Sequence, residues 1–598
     1  MKIYKKLKNI IEQYDNKDLI IKHIIYYIYS KLKKKNNIQN LLDNHARFYL
    51  TNYSNLDEKI GELIKNNKEE IKEIDPGTIY EKITSVKLKK SLGQVYTPKD
   101  IVEKMINMYD FELEKDKSEF KIIDISCGSG NFLIPIIEKL SSLGKSPYEV
   151  VTNNIYGVDK DDFSVFLTKL SIILKYPELK EENLNIIKGD ILVDELKEIN
   201  ENEFDLIIGN PPYIGHKNIS KEYKEKLYKK FITYKNKSDI SYCFFEKSWE
   251  LLKKQGKLIF ITSRYFMEGK DSLEIRKFLK NNYSIIKIID YNGYNLFKNA
   301  NISPIIIKIG KDDLKEKFEY RYKIKDKFRD VEFNQNNLED KKWIIRPENQ
   351  LKVLHKLYNK TNCTLDEIIE FKQGIITGLD KAFIVKDEDI EKYSLEKSLL
   401  EKWIKNSNIR KNKIRDINNY KLIYSKDIDI NKYPNTKKYL EQFKNRLGKR
   451  RECKRGIIKW YELQWPRKKE LFEDEKIIFP YKAKKPIFFL DNSNYFCSAD
   501  IYLGKIKGQV AFYENLVKYL NSNIFNFICR LELKKVGKGL YEFYPYSLKR
   551  LPLIQKEYLI NTTENGYKDY EAYLIEIFDL NDKEVSIINS TTEEWLND

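Results

Sequence analysis

Lys121-Ile-Ile-Asp124-Ile-Ser126-Cys127-Gly128-Ser-Gly130-Asn131-Phe132 is the stretch from which the fold is read. A short apolar run ending in a carboxylate predicts a buried strand, two glycines spaced by one residue predict a tight turn, and the apolar run Leu133 to Leu140 predicts a helix. Outward from it, residues 119 to 310 alternate short β-branched runs with amphipathic stretches of 10 to 15 residues. That texture predicts an α/β, Rossmann-like parallel sheet with crossover helices. Seven strands are expected, at Lys121–Ile125, Ile155–Asp159, Asn185–Lys188, Phe204–Ile208, Lys257–Thr262, Ile285–Tyr291 and Pro304–Ile309. Such sheets bind ligands at the carboxyl ends of their strands.

The remaining sequence fixes the organisation. Its 598 residues predict two to four domains, and 41% hydrophobic with 33% charged residues excludes wholesale disorder. Ile, Leu and Tyr at helical spacing, closed by Pro76-Gly77, predict a helical region over 1–85. An α/β domain is expected over 86–320, a mixed α+β region over 340–555 and an acidic tail over 556–598, with charged, aperiodic sequence after Gly310 reading as a linker. No run reaches the ~18 to 20 apolar residues of a membrane span. The start lacks an apolar signal core, so a cytoplasmic protein is expected. Six scattered cysteines and four scattered histidines offer neither a disulfide framework nor a metal-ligand set.

The net charge of +19 is concentrated: residues 401 to 470 hold 22 Lys/Arg against 8 Asp/Glu, whereas residues 556 to 598 hold 11 acidic residues against 3 Lys. A localised anion-binding surface follows. Its centre is Arg450, Arg451, Lys454, Arg455 and Lys459, running into Trp460, Trp465 and Arg467. Cations there would neutralise phosphates, and the aromatics would stack on bases. A charge run by itself is more often a solvated face.

Acidic residues close the next two strands, Asp159 after Ile155-Tyr-Gly-Val and Asp190 after Ile186-Ile-Lys-Gly. Each alone is an ordinary turn residue. In register, the first suits ribose hydroxyls and the second an exocyclic adenine amine. A dinucleotide is disfavoured, because Leu133 stands where the third glycine of that fingerprint would be. The fourth strand ends in Gly209-Asn210-Pro211-Pro212-Tyr213. Two prolines stiffen this turn, so the Asn210 amide oxygen and the Pro211 carbonyl can hold both hydrogens of a planar amine while Tyr213 stacks on its ring.

With these residues the sequence resembles the gamma-class N6-adenine DNA methyltransferases, the Asn-Pro-Pro-Tyr enzymes that use S-adenosylmethionine. Gly93-Gln-Val-Tyr96-Thr97-Pro98 is similar to their segment closing over the methionine end of the cofactor, and Tyr291-Asn-Gly-Tyr-Asn-Leu-Phe297 to their site for a second base-clamping aromatic. The likeness runs from about 90 to about 550 and extends to CamA-type orphan enzymes of spore-forming bacteria through Asn210-Pro-Pro-Tyr-Ile-Gly-His-Lys217, Gln373-Gly-Ile-Ile-Thr-Gly378, Asp380-Lys-Ala-Phe383, Arg450-Arg-Glu-Cys453 and Lys459-Trp-Tyr-Glu-Leu-Gln-Trp465. It implies a methyltransferase domain followed by a DNA target-recognition domain. S-adenosylmethionine would lie across Tyr96, Thr97, Pro98, Asp124, Ser126, Gly128, Gly130, Asn131, Asp159, Asp190 and Ile191. Asn210, Pro211, Pro212 and Tyr213 would form the catalytic turn, and an adenine flipped from double-stranded DNA would sit between Tyr213 and Phe297. Neither metal nor membrane is expected, and a monomer is.

Alternatives within the same chemistry are an RNA adenine or protein-glutamine amino-methyltransferase, or the methylating part of a restriction-modification system. Outside it stand an idle DNA-binding subunit and a fused restriction enzyme. The intact tetrapeptide opposes the former, and the first 85 residues show no Asp…Glu-x-Lys nuclease constellation to support the latter.

Overall fold

Isoleucine dominates the strands of the larger sheet, because its β-branched side chain is stiff and packs well on a pleated surface. The computed structural model describes residues 2–32, 36–85, 96–114, 119–294, 296–297, 303–325, 327–410, 413–414, 420–507, 512–536, 539–560 and 569–593. In it the expected strands are β1 (Ile122–Asp124), β2 (Ile155–Asp159), β3 (Ile186–Lys188), β4 (Phe204–Gly209), β5 (Leu252–Ser263), β6 (Ser284–Asp290) and β7 (Pro304–Gly310). Their order is β3-β2-β1-β4-β5-β7-β6, with β7 antiparallel to both neighbours. The chain runs outward from β1 to β3 on one side and from β4 onward on the other. A crevice therefore opens between the carboxyl ends of β1 and β4.

Two further strands correct the seven-strand expectation. β8 (Lys317–Ile324) pairs parallel to β6, and β9 (Lys327–Asn334) pairs antiparallel to β8, giving a nine-stranded sheet. They occupy the stretch read as a linker. Phe318, Tyr320, Tyr322 and Ile324 are buried while the residues between them are not, a period of two that Lys, Glu and Arg disguise as aperiodic charge. The expected boundary at residue 320 cuts this hairpin, whereas the first compact unit runs Met1–Ile345 and the second Arg346–Asp598.

The first 85 residues share the core of the first unit. Helices α1 (Lys2–Ile11), α2 (Lys17–Leu32), α3 (Asn36–Asn44), α4 (Ser54–Asn66) and α5 (Pro76–Ile83) bury Ile3, Ile24, Leu41, Ile60 and Ile79 in one apolar cluster with Ile122 of β1 and Leu206 of β4. Asp75 caps α5 by accepting from the Thr78 amide. Arg47 grips Asp162 with two hydrogen bonds, at 2.7 and 2.9 Å. After them come α6 (Lys99–Ile106), α7 (Leu133–Ser142), α8 (Asp162–Lys175) and α9 (Lys221–Lys230).

The second unit contains a four-stranded antiparallel sheet of Ile369–Gln373, Ile501–Ile506, Lys476–Pro480 and Phe489–Asp491, in that order, and several smaller sheets. The expected acidic tail is also corrected. Tyr570–Ile577 and Asp582–Glu593 are helices whose Leu574 and Ile588 join the apolar core, while Glu584 pairs with Lys356 at 2.8 Å. Among the described residues no helix is long and apolar enough to cross a membrane.

The loop Gln373 to Gly378 is stapled by two arginines. Arg450, 9% exposed, donates to the carbonyls of Leu447, Thr377 and Trp460 at 2.9, 3.2 and 2.8 Å. Arg467 donates to the carbonyls of Gln373 and Gly374. Gly378 takes φ +80°, and a Cβ there would lie 2.8 Å from the Arg450 side chain. Replacing a buried arginine leaves its acceptors without donors, a loss of about 1–3 kcal/mol or more. Arg450→Ala is expected to lower the melting temperature by several degrees while Arg455→Ala, at an exposed position, leaves it unchanged, as measured by differential scanning calorimetry.

Candidate active site

The crevice is built around a buried carboxylate. Asp124 ends β1 at 1% exposure; one oxygen accepts from the Ser126 amide at 3.0 Å, and the other, Oδ2, is buried with no hydrogen-bond partner among the described residues. Burial foremost, with the negative charge of Asp159 adding to it, pushes the Asp124 pKa up to about 8. The neighbouring strand accommodates it only through glycine, since a Cβ on Gly209 would stand 2.5 Å from Asp124 Oδ1.

The glycine turn is held by hydrogen bonds at several points. Gly128 and Gly130 take φ +55° and +86°, a region side chains disfavour. The Gly128 amide donates to Asp159 Oδ2 at 2.9 Å, and its carbonyl accepts from Thr168 of α8 at 2.8 Å. Asp159 also accepts from the Asp161 amide, and burial raises its pKa to about 6 against the pull of these backbone hydrogen bonds. Ser129 faces α5: a Cβ on Gly77 would lie 2.5 Å from its hydroxyl. The N-terminal helices thus wall one side of the turn. Cys127 is buried, and burial raises its thiol pKa well above the usual range, as befits a packing residue.

Asn210 follows β4 directly. Its amide nitrogen donates to Thr97 Oγ at 3.1 Å, which fixes which way the amide faces. Its amide oxygen accepts from the Tyr213 hydroxyl at 2.5 Å, and that hydroxyl also lies 3.0 Å from the Ile261 carbonyl at the end of β5. Ser126 Oγ reaches the Asn210 carbonyl at 3.4 Å, joining the glycine turn to the proline turn. Thr97 is 7% exposed, between Tyr96 and Pro98 at the start of α6. Residues Gly93 to Val95 of the same motif lie outside the described residues.

Asp190, after β3, accepts from the Tyr223 hydroxyl of α9 at 2.6 Å and lies 3.4 Å from Lys160 Nζ. Tyr223 is not legible in the sequence: it sits in a charged helix 33 residues downstream of its partner. Ile191 is buried beside Asp190, and Asn131 is half-buried at the turn. Phe297 is 4% exposed in the core of the first unit, so its ring is not presented to solvent as a base clamp would be. The sequence pattern could not report that burial.

In the second unit, Arg450 and Arg467 both staple the 373–378 loop; Arg450 is buried there, which corrects its reading as a phosphate contact, whereas Arg467 is half-buried. The same run hides two environments. Arg451, Lys454, Arg455 and Lys459 are exposed and Trp465 is 44% exposed, whereas Trp460 is half-buried.

Residues 153–297, which include the proline turn, match the family model of the Eco57I restriction-modification methylase, and residues 384–553 match that of the TaqI-like C-terminal specificity domain. In sequence the chain is similar to the Type II methyltransferase M.BstVI of Geobacillus stearothermophilus, 23% identical over 84% of this chain and 98% of the relative. It is 27% identical to the Type II methyltransferase M.HindII of Haemophilus influenzae over 84% of this chain and 96% of that one. In fold it is similar to the Type IIL restriction-modification enzyme MmeI, solved in complex with DNA, with a TM-score of 0.67, 13% identity, and coverage of 99% of this chain and 95% of that one. The chain is homologous over most of its length to Type II methyltransferases, with a segment that matches the methylase model followed by one that matches the specificity-domain model.

Proposed function

We propose that this protein methylates DNA as part of a restriction-modification system, transferring the methyl group of S-adenosylmethionine to N6 of an adenine flipped out of the duplex. The observation that carries the reading is the Asn210 amide, oriented by Thr97 at the carboxyl end of β4 next to a buried carboxylate with an unsatisfied oxygen. The likeness to Type II methyltransferases and to a specificity domain supports DNA as substrate and a restriction-linked role. The order of cofactor segment, glycine turn, proline turn and C-terminal reader is the gamma order, as in the CamA-type orphan enzymes.

Asp124 fits the amino-acid end of the cofactor, because its unpartnered, buried oxygen can be satisfied by an ammonium donor. Asp159 and Asp190 suit the ribose and the adenine amine, with Tyr223 holding the Asp190 carboxylate. S-adenosylmethionine, when bound, supplies an electrophilic methyl group on a good leaving group. The chain's own part is to place the nucleophile. Asn210 Oδ1 and the Pro211 carbonyl accept the two hydrogens of the adenine amine, localising its lone pair on nitrogen. The Tyr213 hydroxyl, which occupies the Asn210 oxygen in this structure, stands where that amine would donate. Entry of the base exchanges one donor for the other and leaves the Tyr213 ring free to stack. The nitrogen gains the methyl group and loses a proton to water.

Three outcomes follow. Asn210→Ala is expected to lower methyl transfer to duplex DNA by about a thousandfold or more while cofactor and DNA affinities hold, measured with labelled cofactor; wild-type turnover would refute the assignment. Thr97→Val should lower kcat by about tenfold, with Thr97→Ser restoring it, because only a hydroxyl keeps the amide facing the substrate. The raised pKa of Asp124 predicts a cofactor affinity that grows as the carboxyl ionises, by about twentyfold between about pH 6 and about pH 7.5 in calorimetric titrations, with the slope lost in Asp124→Asn.

A further inference from the structure

The β8–β9 hairpin ends at the carboxyl edge of the nine-stranded sheet. β8 runs parallel to β6, pairing Ile289 with Arg321 and Asp290 with Tyr322, so the turn after Ile324 emerges at the same carboxyl edge as the crevice. A buried network joins the hairpin to the loop that follows β6. Asp290, fully buried, accepts from the Tyr320 hydroxyl at 2.7 Å and from Arg264 at 3.1 Å, and one of its oxygens takes the Asn292 amide. The Asn292 side chain in turn donates to the Lys323 carbonyl at 2.9 Å. The hairpin tip and the 291–294 loop therefore move together.

On this rigid base the charge changes character along the hairpin. Near its open end the strands balance: Lys317 pairs with Glu332 at 2.7 Å, and Lys287 of β6 with Glu319 at 2.7 Å. In sequence, residues 321 to 330 hold five cations, Arg321, Lys323, Lys325, Lys327 and Arg329, against Asp326 and Asp330, of which Asp326 lies outside the described residues. Asp330 pairs with Arg321 at 3.3 Å. Lys325, Lys327 and Arg329 are exposed, and Lys323 lies 4.8 Å over the ring of Tyr294. Lys325 also takes φ +51°, a left-handed conformation costing a side-chain-bearing residue roughly 1 kcal/mol where glycine or asparagine is the usual occupant. Behind the tip, Lys104 of α6 lies 4.7 Å over Phe328, and its pKa is lowered by burial first and then by Arg321, Lys287 and Lys323.

We propose that the β8–β9 tip is a DNA-backbone clamp of the catalytic unit, in which Lys325, Lys327 and Arg329 contact phosphates at the same carboxyl edge of the sheet as the target-base crevice, with three strands between β4 and β8, without reading sequence. The proposal deepens the DNA methyltransferase reading and rests on it. A polyanion is the occupant that fits: residues 321 to 330 hold more cations than carboxylates, Lys325 and Lys327 are exposed, and the hairpin stands on a buried hydrogen-bonded support, while phosphate binding needs charge and position more than shape. Such interactions add affinity equally to every sequence, leaving discrimination to the second unit.

The test compares full-length wild type with the triple variant Lys325→Gln, Lys327→Gln, Arg329→Gln and with a charge-keeping variant, Lys325→Arg, Lys327→Arg. Affinity for a duplex oligonucleotide is measured from low to high potassium chloride, alongside cofactor affinity. In the triple variant DNA binding should weaken by about tenfold or more, and the log–log salt slope should fall by about two to three, nearly one for each phosphate no longer neutralised. The arginine variant should keep the wild-type slope. An unchanged slope in the triple variant, with wild type binding and methylating DNA, overturns the clamp alone. Wild type that neither binds nor methylates DNA overturns the reading beneath it as well.

Discussion

Close approach between one buried carboxylate and one glycine sets the shape of the crevice. Asp124 occupies the space that a side chain at position 209 would need, so β1 and β4 meet tightly at their carboxyl ends and the chain leaves β4 directly into Asn210. The same closeness excludes water from the carboxylate, which is why its proton is held unusually firmly and one oxygen awaits a donor. Thr97 then orients the amide of Asn210, and Ser126 ties the two turns together. Each element is ordinary by itself. Their convergence at a topological switch point is what marks the candidate site.

The N-terminal helices belong to this arrangement rather than standing apart from it. They bury their apolar faces in the core that also receives one face of the sheet, and α5 lies against Ser129 in the glycine turn. The wall of the glycine turn thus depends on residues far from any motif. The described residues of this region contribute apolar packing to the core and a close approach to the glycine turn.

The sheet was legible where burial is uniform, since Ile-rich runs such as Ile305 to Ile307 admit no other reading. It was not legible at β8, where Lys, Glu, Arg and Lys alternate with Phe, Tyr, Tyr and Ile and the charged half dominates the eye. The proline turn and the strand-end acids were readable because their chemistry depends on position relative to strands, which the pattern supplies. Partners contributed by another element, such as Tyr223, were not. The basic run at 450 to 469 shows the same limit. Arg450 and Arg455 are identical in sequence terms, and only the fold turns one inward as a staple for the 373–378 loop and leaves the other in solvent.

The central claim is that the crevice presents an adenine amine to a methyl donor. Its most direct test is nucleoside mass spectrometry of duplex DNA incubated with wild-type protein and S-adenosylmethionine carrying a deuterated methyl group. The account predicts the label in N6-methyl-2′-deoxyadenosine. Label in N4-methylcytosine or 5-methylcytosine, or no label in DNA together with label in RNA or protein, would contradict it.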